Sequence, residues 1–331
     1  MRVLKLLLVA VLLVAAVVGF YGFLPYGPYK ETFVEIAPGT GTVGIAKQLE
    51  AAGVVRSAVA FEVVKEFGHG TLKAGEYRFD HAATVSEVYD RLRRGDVYTV
   101  TLVVPEGFNI FDIAAAVEAA GLGSKAEFLA AEKTHTELIA QWSPPASSLE
   151  GFLFPDTYKF GRHATAVQML TAMVKRFDVV RKKLGMVTEA DTDIVRTDFV
   201  GTVTMASLVE REVHLDAERP VVASVFRNRM AQGMPLQTDP AVIYASMLRG
   251  TWAGVIHQSE LHSDSAYNTY AHVGLPPGPI CSPGLAALRA AMHPADTEYL
   301  YFVADAKGAT RFSATLKEHD AQVAEYRRGG D

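Results

Sequence analysis

The sequence predicts an α+β protein: an apolar N-terminal helix, then short strand–turn–helix units, then a larger region of helices with a late strand hairpin. Three observations carry this expectation. An uncharged run opens the chain, an internal echo recurs over the next hundred residues, and helical periodicity dominates from Ala164 until a strand-like pair near Tyr301. A chain of 331 residues can bury two or three separate cores.

The opening run is the plainest. Arg2 and Lys5 precede LLLVAVLLVAAVVGFYGFL, Leu6–Leu24, 19 residues without a charge. As a helix it would reach roughly 28 Å, near the thickness of a bilayer's hydrocarbon. Phe20, Tyr21, Phe23 and Tyr26 stand at its far end like an interfacial belt. A cleaved secretory signal competes, but it has a shorter apolar core and a small-residue cleavage site. A retained anchor over residues 1–27 is therefore expected. The basic flank predicts a single pass with the N-terminus in the cytoplasm. The remainder would then lie on the periplasmic, or extracytoplasmic, side of the cytoplasmic (inner) membrane.

Composition excludes several classes. The net charge is −5, with 49% hydrophobic and 21% charged residues, and no basic stripe is available to neutralise phosphates. Nucleic acid is not an expected partner. The single cysteine, Cys281, rules out an intrachain disulfide and a cysteine-rich zinc site. His257, His262 and His272 with Asp264 are too irregularly spaced to frame a metal, and no G-x-S-x-G elbow occurs. No metal or cofactor is expected.

The echo pairs VEIAPGTGTVGIAKQLEAAGVV (Val34–Val55) with TLVVPEGFNIFDIAAAVEAAGL (Thr101–Leu122). Each reads as a strand, a Pro-Gly turn and an amphipathic helix closed by glycine, Gly53 or Gly121. A looser third unit, GEYRFDHAATVSEVYDRLRRG, lies between them. Such units are too small to bury a core alone and should pack together. Residues 33–141 are expected to form one α+β region, either plain structural units or a carbohydrate-binding module resembling the LysM fold. The proline-serine stretch from Trp142 to Phe160 then marks a boundary, with Pro144 and Pro145 barred from regular structure. Residues 142–331 follow as the second region.

Within it, MASLVERE (Met205–Glu212) raises the question of chemistry. On a helix Met205, Leu208 and Val209 share a face with Glu212, whereas Glu210 projects about 160° away, towards a polar side. A carboxylate in an apolar stripe loses hydration and its pKa rises, as a general acid near neutrality requires. Alternatively Arg219, Arg227 or Arg229 neutralises Glu212 in a structural ion pair, and the helix alone leaves both readings open. Gln237, Thr238 and Asp239 fall in a proline-bounded loop. Tyr267, Asn268 and Tyr270 fall in a second loop rich in proline and glycine. Aromatic faces and amides in rigid loops suit sugar rings.

Five phrases occur in order: EGFLFPDTY (Glu150–Tyr158), MASLVERE, LQTDPAVIY (Leu236–Tyr244), YNTYAHVGLPPGPI (Tyr267–Ile280) and YLYFVADAKGATRFSATLKEH (Tyr299–His319). Together they resemble the MltG-type, YceG-like endolytic murein transglycosylases, from about Val34 to the C-terminus. The resemblance implies a membrane anchor, LysM-like α+β subdomains, and a C-terminal mixed α/β catalytic domain of the YceG-like type. It implies a lyase that cleaves peptidoglycan glycan strands internally between N-acetylmuramic acid and N-acetylglucosamine. The product would carry a 1,6-anhydromuramoyl end, and cleavage would terminate nascent strands. Glycan strands and the cytoplasmic membrane are then the expected partners, with peptidoglycan synthases (penicillin-binding proteins) as further candidates. The family's catalytic glutamate falls on Glu212, which the wheel had selected separately. Gln237, Asp239, Tyr267 and Asn268 are candidates for orienting the sugar, whereas Glu150 and Asp156 are expected to be structural capping groups. Cys281, Ser282 and Ala306 depart from the family's usual residues; Cys281 is a candidate site contact. A muramidase using Asp239 or Glu210 as a second carboxylate, and a non-catalytic peptidoglycan-binding protein, are the rival readings.

Overall fold

The strand–turn–helix units fold as their spacing predicts. The computed structural model describes residues 2–143, 146–186, 198–304 and 309–329, with the side chains of 2–8, 14, 15, 18, 304, 326, 327 and 329 left aside. The chain divides into two compact units, Met1–Val100 and Thr101–Asp331.

The first unit contains α1 (Arg2–Gly22), β1 (Thr32–Ile36), α2 (Thr42–Ala51), α3 (Ala58–Phe67), β2 (Gly75–Phe79) and α4 (Val85–Arg94). Strands β1 and β2 pair antiparallel from Thr32 opposite Phe79 to Ile36 opposite Gly75. Alternation along β1 turns Val34 and Ile36 inward, where they meet Ile45 and Leu49 of α2, Phe61 of α3 and Leu92 of α4. Helix α4 starts in a reciprocal box between Thr84 and Glu87 and stops at Gly95, whose φ of 77° is left-handed. On α1, Val9, Val11, Leu12, Leu13 and Val17 are all exposed. Among the described residues no helix is long and apolar enough to cross a membrane.

The second unit begins with β3 (Val100–Val103), α5 (Ile110–Ala119), α6 (Lys125–Thr134), a 3₁₀ turn (Thr136–Ile139), β4 (Thr157–Phe160) and α7 (Ala166–Leu184). It continues with α8 (Phe199–Glu212), α9 (Arg219–Ala231), α10 (Asp239–Arg249), α11 (Gln258–Leu261) and α12 (Leu285–Met292). The hairpin strands β5 (Tyr301–Ala304) and β6 (Thr310–Ser313) and helix α13 (Leu316–Gly329) close it. The departure at Ala306 lies outside the described residues.

The division into compact units falls after Val100, so the second copy of the echo belongs to the second unit. The reason is tertiary. β3 pairs with β4, the Val104 amide donates to the Asp156 carbonyl at 3.0 Å, and the Ile110 amide donates to Glu150 Oε2 at 2.9 Å. A small unit joins whichever neighbour covers its apolar face, and its own pattern does not name that neighbour.

Helix α8 is the centre of the second unit. Every residue from Val203 to Glu210 is buried, and α9, α10 and α12 pack around it. A helix enclosed on all sides has no solvent face. The polar side on which the wheel placed Glu210 therefore does not exist here.

Candidate active site

The two glutamates are separated by their partners. Glu210 is 8% exposed and its Oε2 lies 2.7 Å from Nη1 of Arg219, itself buried. The same oxygen accepts the Gly284 amide at 2.8 Å, at the N-terminus of α12, where the helix dipole favours negative charge. Glu106 crowds the same place: a Cβ on Gly284 would lie 1.9 Å from its Oε1. Burial, and then the Glu210 charge, push the Glu106 carboxyl up. Glu210 is thus a structural anion.

Glu212 ends α8 and is half-buried. Among the described residues its carboxylate forms no ion pair and no hydrogen bond. Arg219 is taken by Glu210, and Arg227 lies 3.7 Å from Asp296. Arg229 donates from Nε to the Leu300 carbonyl at 2.7 Å and from Nη1 to the Leu236 carbonyl at 2.9 Å. Desolvation raises the Glu212 pKa to about 7, with the Asp239 charge adding to the rise and Arg229 and Arg211 opposing it. The ion-pair reading of Glu212 falls, and what remains is a lone carboxyl able to hold a proton near neutrality.

Two loops joined to each other bring Asp239 and Tyr270 within electrostatic reach of this carboxyl. The Gln237 amide donates to the Thr269 carbonyl at 3.0 Å, and the Thr238 amide to Thr269 Oγ1 at 2.9 Å. A bridge from Pro235 to Val273 continues the seam. Gln237 has a φ of 54°, the one left-handed non-glycine backbone among the described residues, and its side chain is exposed. Strain of this kind concentrates at functional sites. Asp239 opens α10, and the Tyr270 hydroxyl donates to its Oδ1 at 2.7 Å. Both Asp239 and Tyr270 lie within electrostatic reach of Glu212.

The other residues picked from the sequence are placed differently. Asn268 is fully buried; its Nδ2 donates to the Ser263 carbonyl at 2.7 Å and the Leu261 carbonyl at 3.0 Å. It folds its own loop and offers no amide to a ligand. Tyr267 packs edge-on against Tyr244 with ring centroids 5.2 Å apart, and lines a cavity of about 350 Å³ with Glu150, Ser147 and Pro277. Glu150, fully enclosed, receives the first amide of α5 from Ile110, and Asp156 Oδ2 lies 2.6 Å from Arg176 Nε. Both act in the structure as capping and pairing groups. Cys281 is buried with its thiol on the Ser207 carbonyl at 3.3 Å, and burial pushes the thiol well up. It pins its loop to α8 and presents no reactive edge.

Sequence reasoning did not select Tyr270 or Arg211 for the site, and weighed Arg229 only as one of three possible ion-pair partners of Glu212. Tyr270 sat in a quoted phrase, yet its spacing from Tyr267 gives no sign of which tyrosine faces the carboxyl. The arginines act through space, which no local pattern reports.

Fold and site together define a mixed α+β protein with a desolvated carboxylic acid, unpaired among the described residues, at the end of a buried helix. The chain belongs to the YceG-like family, whose model matches residues 34–325. It is 33% identical over 309 residues to an endolytic murein transglycosylase of Bacillus subtilis (strain 168), covering 88% of this chain and 84% of that one. It is 30% identical over 329 residues to an endolytic murein transglycosylase of Streptococcus pneumoniae (strain ATCC BAA-255 / R6); that match covers 90% of this chain and 58% of the longer relative. A crystal structure of a yceG-like protein from Listeria monocytogenes superposes with a TM-score of 0.57 at 33% identity, covering 88% of this chain and 99% of that one.

Proposed function

We propose that this chain is an endolytic peptidoglycan lytic transglycosylase, a lyase in which Glu212 is the catalytic acid and base. The observation that carries the proposal is the state of Glu212: unpaired among the described residues, desolvated, and pushed up to about 7. The names of the B. subtilis and S. pneumoniae relatives support the reaction and its murein substrate.

One carboxyl suffices for this chemistry. A hydrolytic glycosidase pairs two, because water or a covalent intermediate must be managed. Here the protonated Glu212 donates to the glycosidic oxygen as the bond between N-acetylmuramic acid and N-acetylglucosamine breaks. Its carboxylate then takes the proton from the muramoyl 6-hydroxyl as that oxygen bonds the anomeric carbon, closing the 1,6-anhydro ring and restoring the acid. No water is consumed. The substrate's acetamido group stabilises positive charge at the anomeric carbon. Gln237, exposed on its strained turn, is the residue best placed to orient the sugar.

The apolar run Leu6–Leu24 and the outward valines and leucines of α1 support a single-pass anchor, with the catalytic unit on the extracytoplasmic side. We assign the first unit as LysM-like on its small antiparallel pair flanked by short helices, and peptidoglycan synthases as the partners whose nascent strands would be terminated.

Digestion of purified sacculi by the full chain, wild type beside Glu212→Gln, with mass spectrometry of the products, tests the function. Anhydro ends from the wild type alone are expected. Reducing ends would identify a muramidase, and intact sacculi a binding protein.

A further inference from the structure

We propose that the outer face of α3 rests on the lipid bilayer, with Val59, Val63 and Phe67 entering the interfacial layer of the outer leaflet beside the end of α1. The inference rests on the reading of α1 as a membrane anchor and is independent of the chemistry assigned to Glu212.

Helix α3 carries two apolar faces. Ala58 and Phe61 are buried and join Val34 and Ile36 in the core of the first unit. On the opposite side Val59, Val63 and Phe67 recur at every fourth residue, one stripe of the helix, and are 68%, 50% and 82% exposed. Singly such residues are ordinary on a surface, but three in one stripe form a patch that calls for a cover. The stripe continues onto α1. A groove of about 890 Å³ is lined by Val17 and Tyr21 of α1 and by Val59, Val63 and Phe67 of α3, so the two helices share one apolar surface. Phe20, Phe23 and Leu24, all exposed, extend it at the end of the uncharged run.

Two contacts hold α1 against the body of its unit. Arg56, two residues before α3, places its guanidinium carbon 4.1 Å from the ring centroid of Phe20 and 4.7 Å from that of Tyr26. The Tyr26 amide donates to the Ala83 carbonyl at 2.9 Å, and the Ala83 amide returns to the Tyr26 carbonyl at 3.0 Å. Gly27 fits tightly against this seam, where an added Cβ would lie 2.6 Å from the Ala82 Cα. The chain is therefore fastened just past the end of α1 at Gly22, and α3 cannot swing away from the anchor.

The depth of α3 follows. With α1 as the anchor, the aromatics from Phe20 to Tyr26 mark the headgroup layer, and Val17 lies about one turn deeper. Side chains that share a groove with Val17 stand at the surface of the same bilayer. Interfacial helices sink an apolar face about 5–10 Å into that layer. Arg56, stacked on the aromatic belt, stands where anionic lipid phosphates lie. This match in depth favours lipid over a second protein chain as the occupant.

The test is spin labelling of the full chain in vesicles of phosphatidylcholine and phosphatidylglycerol. In a Cys281→Ser background, which removes the single, buried thiol, nitroxides are attached one at a time through Val59→Cys, Val63→Cys and Phe67→Cys. Leu12→Cys in α1 and Lys47→Cys on the exposed side of α2 are the references. Oxygen partitions into lipid and a nickel chelate stays in water, so the ratio of their collision rates reads depth. The three α3 positions should give ratios between those of Leu12 and Lys47. Ratios equal to that of Lys47, with Leu12 in hydrocarbon, would overturn the inference and leave the anchor standing. Low collision rates with both reagents would mean that protein covers the stripe, and would overturn it equally. A water-exposed Leu12 would instead overturn the anchor reading beneath it. Phe67→Trp supplies a second measurement: brominated phosphatidylcholine should quench a larger fraction of its emission than of the wild type's, which comes from Trp142 and Trp252. Equal quenching would count against the inference.

Discussion

Arg219 Nη1 lies 2.7 Å from Glu210 Oε2, and this pairing decides which of two glutamates can do chemistry. Both side chains are nearly sealed from water, so removing one leaves an uncompensated charge in the interior. Arg219→Met should destabilise the second unit by about 3–5 kcal/mol, read from urea unfolding. Since Glu212 gains no partner in that variant, whatever protein remains folded should keep the wild-type pH profile. A shifted profile would mean Arg219 also serves the acid.

The activity of the wild type should depend on pH with one sign. Glu212 donates only when protonated, and its pKa stands at about 7. Cleavage of sacculi should be fully present well below that value and lost as pH rises through it. A rate that climbs across pH 6 to 8 would exclude a protonated donor with this pKa.

Stability should carry a second pH signature, from Glu150. Burial raises its pKa from 4.5 to about 8. Between those values the folded state holds a proton that the unfolded chain has released, so stability falls as pH rises through the window. Glu150→Gln keeps an acceptor for the Ile110 amide and removes the charge. Its unfolding free energy should decline less than the wild type's between pH 5 and 8, and equal slopes in urea titrations would contradict this.

Gly151 should tolerate no side chain. Its φ is 83°, and an added Cβ would stand 2.4 Å from the ring of Pro279. Gly151→Ala should lose about 1–3 kcal/mol, visible as a lower thermal midpoint. The phrases EGFLFPDTY and YNTYAHVGLPPGPI meet at this contact, so a neutral result would show that they need not touch.

Gln237 separates strain from binding. Gln237→Gly relieves the left-handed backbone and should stabilise the fold by up to about 1 kcal/mol. If the amide orients the sugar, the same variant should raise KM for glycan strands several-fold. Unchanged kinetics would remove Gln237 from the site.

The elements were legible because their signals are local. Gly53 and Gly121 stop helices where the spacing places the stops. The partners of the echo's second copy were not legible, since β4 and Glu150 reach it from beyond the proline-serine stretch. The wheel proposed Glu212, which has no ion pair or hydrogen bond among the described residues, but its reason for dismissing Glu210 was mistaken. Glu210 faces Arg219 in a sealed interior rather than water. Tyr267 and Asn268 looked like sugar contacts because aromatics and amides in loops suit sugars. In the fold, one packs on Tyr244 and the other clamps carbonyls.

By itself the sequence determined the α+β class, the order of helices and strands, and the family, and it marked Glu212 as the candidate acid. Each of these is written in neighbours along the chain, through periodicity, caps and contiguous phrases. Only the tertiary structure decided that Arg219 belongs to Glu210, that Asp239 and Tyr270 stand together near Glu212, and that Cys281 is inert packing. Charge and desolvation act through space, and the groups that set them come from segments dozens of residues apart.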